Sequence, residues 1–252
     1  MLKVRIIPTL LMKGMGLVKG TGFDSWRRVG AALQSIRVYN MREVDELVLV
    51  DIAATPGKLR PNFREIDELA DNCFMPMTVG GGVRSLQDVR DLLAVGADKV
   101  AINSATFDTP QLIRDSSNEF GSQCIVVSID VRRHADGRAE VFTECGMRAT
   151  GRDPVDWAKA AAALGAGEIL LTSVERDGTM TGYDVELVRD VAAAVDIPVI
   201  ASGGCGNYTH MADVLTSTRA SAVAAAAMFH FTEQTPREAK CFLAERGFRV
   251  RK

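Results

Sequence analysis

Short apolar runs alternate with amphipathic segments along the whole chain. β-Branched runs bounded by turn residues are typical of buried parallel strands, and the spacing between them suits strand-helix units. The pattern predicts eight strands, at residues 4–10, 46–51, 76–80, 98–103, 124–130, 168–173, 198–202 and 221–226. Amphipathic helices are expected between them, two of them over residues 85–95 and 155–164, with Ser85 and Thr109 as helix N-caps.

The second half of the predicted strand series retraces the first. Residues 5–11, 46–51, 75–82 and 98–104 align with residues 124–130, 168–173, 197–204 and 221–227. A four-unit half that closes on its copy makes a (β/α)₈ barrel. An open doubly wound sheet is the competing α/β fold, but it would not require this repeat. We therefore predict a single barrel domain over residues 1–252, with half-barrels at about residues 1–122 and 123–252.

Bulk properties limit the class of partner. The 252 residues carry a formal net charge of -2, which offers no global basic field for nucleic acid. No apolar run approaches the roughly 20 residues that span a bilayer, so we expect a cytoplasmic protein without a membrane partner. Five scattered cysteines without a CxxC pair read as reduced core thiols. Small molecules and other proteins remain the expected partners, and we expect no cofactor.

Candidate chemistry lies where the predicted strands end, because barrel active sites are built from the loops at that face. Asp130 ends the fifth strand and is the first catalytic candidate; Asp51 ends the second. Glycine-rich turns follow the third and seventh strands, and such turns let backbone N–H groups approach an anion closely. The first predicted phosphate cradle comprises Gly82, Asn103 and Ser104; the second comprises Gly204, Ala226 and Ala227, joined by Asp177 and Gly178. Two cradles at one mouth suggest a bis-phosphate small molecule.

Two alternatives stay open for these features. The glycines can equally serve only to permit tight turns. At the other end of the barrel, Arg5, Glu46, Lys99 and Glu168 begin four strands, and alternating charges there form either a salt-bridge plug or a gate. The polar, glycine-punctuated loop at residues 174–184 suits a mobile segment that covers a ligand.

Metal and thiol chemistry receive no support from the spacing. His134, His210 and His230 lie far apart and form no ligand pattern, so we expect no metal site. Cys145 and Cys205 lack the adjacent histidine or helix start that would activate a thiol.

Over essentially its whole length the sequence resembles the cyclase subunit of imidazole glycerol phosphate synthase. The matching motifs are residues 5–7, 17–20, 45–47, 78–82, 97–100, 120–123, 167–173, 177–179, 182–184 and 201–204. The sister isomerase of histidine biosynthesis shares the barrel and its glycines. The combination of Arg5, Glu46, Lys99 and Glu168, however, resembles the bottom gate of the cyclase.

The resemblance implies a heterodimer in which a glutaminase docks beneath the barrel and ammonia passes through the gate to the top. It implies that Lys19 and Thr172 contact the substrate and that Asp98, beside the gate, contacts the glutaminase. The family's cyclase uses two aspartates, at the ends of the first and fifth strands, as acid and base. Asp130 matches the second of them.

Two departures from the family pattern bear on function. Leu11 replaces the first aspartate, and Ala227 replaces a serine at the second phosphate. With residues 8–11, 61–63 and 73–76, they resemble the branch associated with acetamidino modification of surface sugars, in which the barrel and its glutaminase supply ammonia to a separate sugar amidotransferase. Three hypotheses follow: an ammonia-conducting barrel for sugar amidination, a working cyclase subunit of histidine biosynthesis, or a non-catalytic scaffold that binds phosphate ligands.

Overall fold

Parallel strands close on themselves around a central axis in the computed structural model, which describes residues 3–14 and 16–251. The strands are β1 Arg5–Met12, β2 Leu17–Thr21, β3 Asp24–Gly30, β4 Leu47–Asp51, β5 Met77–Gly80, β6 Lys99–Ile102, β7 Ile125–Arg133, β8 Ala139–Thr143, β9 Arg148–Ala149, β10 Glu168–Ser173, β11 Val199–Ser202 and β12 Ala222–Ala225. Eight of them form the barrel in the order β1-β4-β5-β6-β7-β10-β11-β12, and β12 pairs with β1 to complete the circuit. The predicted (β/α)₈ barrel is confirmed.

Helices follow the barrel strands and cover their outer faces. They are α1 Ala32–Met41, α2 Phe63–Ala70, α3 Leu86–Ala94, α4 Ala105–Asp108, α5 Gln111–Phe120, α6 Pro154–Ala163, α7 Val185–Ala194, α8 Tyr208–Ser217, α9 Ala227–Phe231 and α10 Pro236–Glu245. Within the part of the chain that the structure describes, no helix is long and apolar enough to cross a membrane.

The two predicted helix caps had different outcomes. Ser85 caps α3 in a capping box, with its hydroxyl accepting the Asp88 N–H at 3.1 Å. The prediction for Thr109 is wrong, because α5 begins at Gln111 with Pro110 as its N-cap residue and no side-chain cap. Thr109 is instead the C-cap residue of the short helix α4. Its carbonyl oxygen, not its hydroxyl, accepts the Leu112 N–H.

Two antiparallel extensions were not predicted. β2 and β3 form a hairpin after β1, and β8 and β9 form an extension after β7, so each follows the first strand of a half-barrel. β1 and β7 consequently run on to Met12 and Arg133, beyond their predicted ends. The extensions rise beside the two strand ends that carry Leu11 and Asp130. The division into two half-barrel units stays an interpretation, but these paired insertions fit it.

The barrel interior is filled by small and branched apolar side chains. Because side chains alternate across each strand, every second residue points inward. Eight of these positions form a buried set, here called the inner apolar layer: Ile7, Val48, Ala101, Val126, Leu170, Ile200, Ala222 and Ala224. A larger apolar core lies outside the barrel, between strands and helices. The inner apolar layer separates the charged end of the barrel from the end that carries the candidate chemistry.

Candidate functional site

A pocket opens at the carboxyl ends of the barrel strands. It holds about 1160 Å³ of space, including its open mouth. The structure brings all of the predicted top-face residues together on its walls, namely Leu11, Lys19, Asp51, Gly82, Asn103, Ser104, Asp130, Thr172, Asp177, Gly178, Gly204, Ala226 and Ala227. Their roles in binding or catalysis remain predictions.

Asp130 is a buried carboxyl group at this pocket. It lies on β7, is 9% exposed, and accepts a hydrogen bond from Asn103 Nδ2 at 2.7 Å. Burial raises the pKa of Asp130 to about 7, with the charge of Asp177 adding to the rise, while the Asn103 hydrogen bond and the charge of Arg132 oppose it. A carboxyl group with this pKa exchanges protons readily near neutral pH.

Leu11 lies on β1 among apolar neighbours. Its strand partners are Val18 on β2 and Val50 on β4. Asp51 follows Val50 at the end of β4. One of its carboxylate oxygens accepts a hydrogen bond from the Ala53 N–H, in the loop after β4, at 2.9 Å. The hydrocarbon side chain of Leu11 therefore lines the pocket, and Asp51 is partly committed to its own loop.

Lys19 and Asp177 form a buried ion pair across the pocket rim. Lys19 Nζ lies 2.5 Å from Asp177 Oδ2, and the Lys19 side chain is 2% exposed. The Gly22 N–H donates to the Asp177 carbonyl oxygen at 2.9 Å. These contacts join the β2–β3 hairpin to the loop after β10, so the two segments cover one side of the pocket together.

The glycine turns are required by close backbone packing. Gly81 and Gly204 have φ of +105° and +102°, which disfavours any other residue. A Cβ atom would collide with the Asp51 carbonyl oxygen at Gly81 and with the Gly182 carbonyl oxygen at Gly204. The tight-turn interpretation thus has direct structural support. The phosphate cradles remain a prediction that this backbone geometry accommodates.

The two predicted cradles differ in their side-chain donors. Ser104 Oγ, in the first, accepts the Glu144 N–H at 3.0 Å and keeps its own proton to donate. Ala226 and Ala227, in the second, lie at the start of the short helix α9 and offer only backbone groups. The second cradle is therefore poorer in donors than the first.

Several pocket residues were missed by the sequence reading. Phe23 and Trp26 reach the pocket from the hairpin, which was not predicted. Thr9, Ser128 and Ser202, here called the hydroxyl floor, line the deeper part of the pocket. The period-two alternation could have found the floor, because its members lie two residues before Leu11, Asp130 and Gly204.

At the opposite end of the barrel, Arg5, Glu46, Lys99 and Glu168 form a closed charge ring. Arg5 pairs with Glu46 at 2.7 Å and with Glu168, and Lys99 pairs with both glutamates at 2.9 Å. Burial pushes the pKa of Glu168 up, but the hydrogen bonds and charges of Arg5 and Lys99 outweigh it and hold the pKa below its ordinary value. The ring closes this end, and both the plug and the gate interpretations are consistent with it.

Asp98 lies beside the charge ring and is exposed. Its Oδ2 accepts the Met77 N–H at 2.8 Å, which ties the start of β5 to the residue before β6. Asp98 therefore has a local structural role in addition to any role in binding a partner.

The cysteines and histidines show no arrangement for nucleophilic or metal chemistry. Burial raises the pKa of both Cys145 and Cys205 to about 12, so neither is a thiolate at neutral pH. Among residues 3–14 and 16–251, no group of three or more histidine, cysteine, aspartate or glutamate side chains could hold a metal ion.

An eight-stranded parallel barrel with a pocket of mixed polar and apolar lining at the carboxyl ends of its strands defines the class of (β/α)₈ barrels. Within this class, residues 5–235 match the model of the family described as histidine biosynthesis protein. The chain belongs to this family. The match covers the charge ring and the pocket, and it supports a barrel of the kind shared by the cyclase and the isomerase of histidine biosynthesis.

The raised pKa of Asp130 predicts how stability depends on pH. The folded-state pKa of about 7 exceeds the unfolded value of about 3.9. Ionising Asp130 therefore costs stability above pH 7, and that cost disappears as pH falls from 7 to 4. We expect Asp130→Asn to be more stable than the wild type at pH 8, by up to about 4 kcal/mol, with no difference at pH 4. Urea unfolding at both pH values measures this.

Asp184→Asn is the matched control for that experiment. The pKa of Asp184 is lowered, because hydrogen bonds from Arg133 and the Leu187 N–H outweigh the effect of burial. Its ionised form thus stabilises the fold above pH 4, and Asp184→Asn should lose stability at pH 8. If Asp130→Asn were also less stable than the wild type at pH 8, the unfavourable burial of the Asp130 charge would be disproved.

Proposed function

We propose that this barrel receives ammonia from a partner glutaminase through the charge ring and supplies it for acetamidino modification of a surface sugar by a separate amidotransferase. The observation that carries the proposal is a combination. The charge ring is complete and fully paired, while Leu11 occupies the position of the family's first catalytic aspartate.

The loss of the acid argues against ordinary cyclisation. General acid-base help is worth about 10² to 10⁴ in rate, and a hydrocarbon cannot exchange a proton at any pH. Asp130 can fill only one of the two roles at a time. Asp51 and Asp177 are engaged with Ala53 and Lys19, respectively, and are poor substitutes for the missing acid.

The layers of the barrel interior suit the passage of a small neutral molecule. Along the barrel axis, the inner apolar layer lies between the charge ring and the hydroxyl floor. Neutral ammonia crosses an apolar layer at far lower cost than the ammonium ion, because desolvating a charge is expensive. Entry requires one ion pair of the ring to open. Lys99 is the better candidate to move, because its single ammonium group is a flexible point charge.

The pocket rim supports retained binding of an anionic ligand. Lys19 lines the pocket as one half of a buried ion pair with Asp177, so the groups left for an anion are the backbone groups of the loops at Gly82 and Gly204. Ala227 lacks the hydroxyl of the family's serine, which costs on the order of 1.5 to 3 kcal/mol if nothing compensates. A bis-phosphate would therefore bind less tightly than in the family's cyclase and would serve to regulate the glutaminase.

One observation favours the second candidate, a working cyclase subunit of histidine biosynthesis. Asp130 is buried with a pKa of about 7, which is suitable for a group that both gives and takes a proton. The third candidate, a phosphate-binding scaffold, would keep the pocket but activate no glutaminase.

A reconstituted complex tests the three candidates together. We expect the barrel to stimulate its cognate glutaminase and to release ammonia, with cyclisation of the phosphoribulosyl aminoimidazole substrate at least about 100-fold below that of an ordinary cyclase subunit. Cyclisation at ordinary rates would refute the proposal and support the second candidate. Failure to stimulate glutaminase, with phosphate-ester binding intact, would favour the scaffold.

Leu11→Asp asks whether the rest of the pocket is still suited to cyclisation. Restoring the second carboxyl group should raise cyclisation by about 10² or more, because two proton carriers would again flank the ligand. Leu11→Asn is the matched control, because asparagine has nearly the same shape as aspartate but cannot exchange protons. If Leu11→Asp produces no gain in single-turnover cyclisation assays, the pocket has diverged beyond this one position.

Substitutions at Asp98 test the docking of the glutaminase at the charged end. Asp98→Lys should weaken complex formation at least about tenfold, through an inverted charge at the interface. Asp98→Asn separates the two roles, because an amide oxygen can still accept the Met77 N–H while the charge is removed. Asp136→Lys, on the exposed turn before β8, should leave complex formation unchanged. Unaltered affinity of Asp98→Lys in titration calorimetry would remove Asp98 from the interface.

A further inference from the structure

The exposed large apolar side chains of the described residues lie at the two ends of the barrel. One group, in the last turn of α1 and just before β5, is at the charged end: Val38, Met41 and Phe74. The other, in the segments that follow β4, β8 and β12, is at the pocket end: Leu59, Met147 and Phe231. Exposed apolar groups that gather in one region mark binding surfaces more often than scattered single ones do. The proposed glutaminase accounts for the charged end only.

Leu59 is held in a fixed position beside the pocket. Its N–H donates to the Ala54 carbonyl oxygen at 2.8 Å, and the Lys58 N–H donates to the Thr55 carbonyl oxygen at 3.0 Å. Thr55 lines the pocket, and its hydroxyl oxygen accepts the Gly82 N–H at 3.3 Å. The Leu59 side chain is nevertheless 58% exposed. An apolar side chain that backbone hydrogen bonds hold in water at a pocket rim is preorganised for binding a partner.

Two cations flank Leu59. Arg84 Nη1 donates to the Lys58 carbonyl oxygen at 3.0 Å, which places the arginine against the same loop. Among the described residues, neither Lys58 nor Arg84 forms an ion pair, whereas the adjacent Arg60 is paired with two aspartates. The whole chain has a net charge of -2, so this excess of positive charge is local. It favours a binding partner that carries carboxylates.

Met147 is exposed on the neighbouring turn between β8 and β9. Cys145 Sγ donates to the Ile52 carbonyl oxygen at 3.1 Å, which joins this turn to the segment between β4 and α2 that carries Leu59. A standard protein interface covers about 800 Å² on each partner, which is wide enough for both loops. Four residues, here called the mouth patch, thus stand beside the pocket opening: Lys58, Leu59, Arg84 and Met147.

The mouth patch lies outside the pocket itself, because none of its four residues is among those that line it. A small ligand in the pocket therefore leaves the patch exposed, and only a macromolecule is large enough to cover it. We propose that the mouth patch docks the enzyme that consumes ammonia, through a surface of that enzyme that carries apolar side chains and carboxylates.

This inference rests on the proposed function, which brings ammonia to the pocket. In open water at neutral pH ammonia takes up a proton, and the resulting ammonium ion has no lone pair with which to attack an acceptor. A partner that closes over the mouth keeps ammonia out of bulk water until it reaches its acceptor. An ammonia-accepting enzyme therefore gains more from docking here than a second copy of the barrel or an anionic membrane would.

The test is titration of the barrel with the purified cognate sugar amidotransferase, followed by biolayer interferometry. Leu59→Asp should weaken binding at least about tenfold, because it places a negative charge at an apolar contact and repels the partner's carboxylates. Lys58→Glu should also weaken binding about tenfold, and the binding that remains should depend less on salt concentration.

Matched substitutions away from the mouth patch serve as controls. Phe74→Asp, at the charged end, and Lys159→Glu, at an exposed position on α6, should leave the affinity for the amidotransferase unchanged. Leu59→Asp should stimulate the glutaminase as well as the wild type does, because Leu59 lies outside both the pocket lining and the charge ring. That result would also show that the variant is folded.

Four outcomes would overturn the inference. They are absence of amidotransferase binding, unchanged affinity in Leu59→Asp and Lys58→Glu, and either dimerisation of the barrel in sedimentation velocity or its binding to phosphatidylserine vesicles that Leu59→Asp abolishes. The last two would assign the patch to a second copy or to a membrane. Glutaminase stimulation without amidotransferase docking would overturn this inference and leave the entry of ammonia through the charge ring intact. Docking without stimulation would do the reverse.

Discussion

The charge ring at the closed end of the barrel is the constraint on which the rest of the interior depends. Four charged side chains at the end of an apolar interior would be costly if any of them stood alone, because removing one partner of a buried pair typically costs 3–5 kcal/mol. Here each cation contacts both anions and each anion contacts both cations, so the cost of burial is offset around the whole ring. Thr78 adds a hydrogen bond to Glu46 at 2.9 Å. Such a ring contributes little stability beyond what apolar residues would provide, which favours a role other than simple closure.

The layers above the ring determine which groups surround Asp130 in the pocket. The inner apolar layer, which includes the small side chains of Ala101, Ala222 and Ala224, lies above the ring, and the hydroxyl floor lies above that layer. Charges are thereby confined to the two ends. Leu11 carries no charge, and the pKa of Asp130 is governed mainly by its own burial, with a smaller contribution from Asp177. Asp130 is thus a pocket carboxyl group whose pKa lies near neutrality.

The sequence predicted the barrel well because two independent periodicities agreed. Each observed barrel strand lies within three residues of its predicted bounds, since β-branched runs and the half-barrel repeat fixed the same segments. The β2–β3 hairpin could not be found in this way. The residues of β3 are mostly exposed and polar, so this strand lacks the apolar alternation that marks a half-buried strand. Phe23 and Trp26, which it carries to the pocket, were missed for the same reason. Thr9 Oγ1 and Asn103 Oδ1 are buried without a hydrogen-bond partner among the described residues, and only coordinates can show that.

The two ends of the barrel differ in how fully they match the pattern expected of the family's cyclase, and this difference is the basis of the proposed function. If the fold had been kept only as a scaffold, neither the ring pairs nor the buried Lys19–Asp177 pair would be needed, because apolar replacements of similar volume are often as stable. If cyclisation had been the retained activity, the replaced position would not be the one that carries a proton. The proposed function, admission of ammonia from a partner, would need the ring and the cover over the pocket but no second acid. The arrangement of Leu11, Asp130 and the charge ring fits this third requirement best.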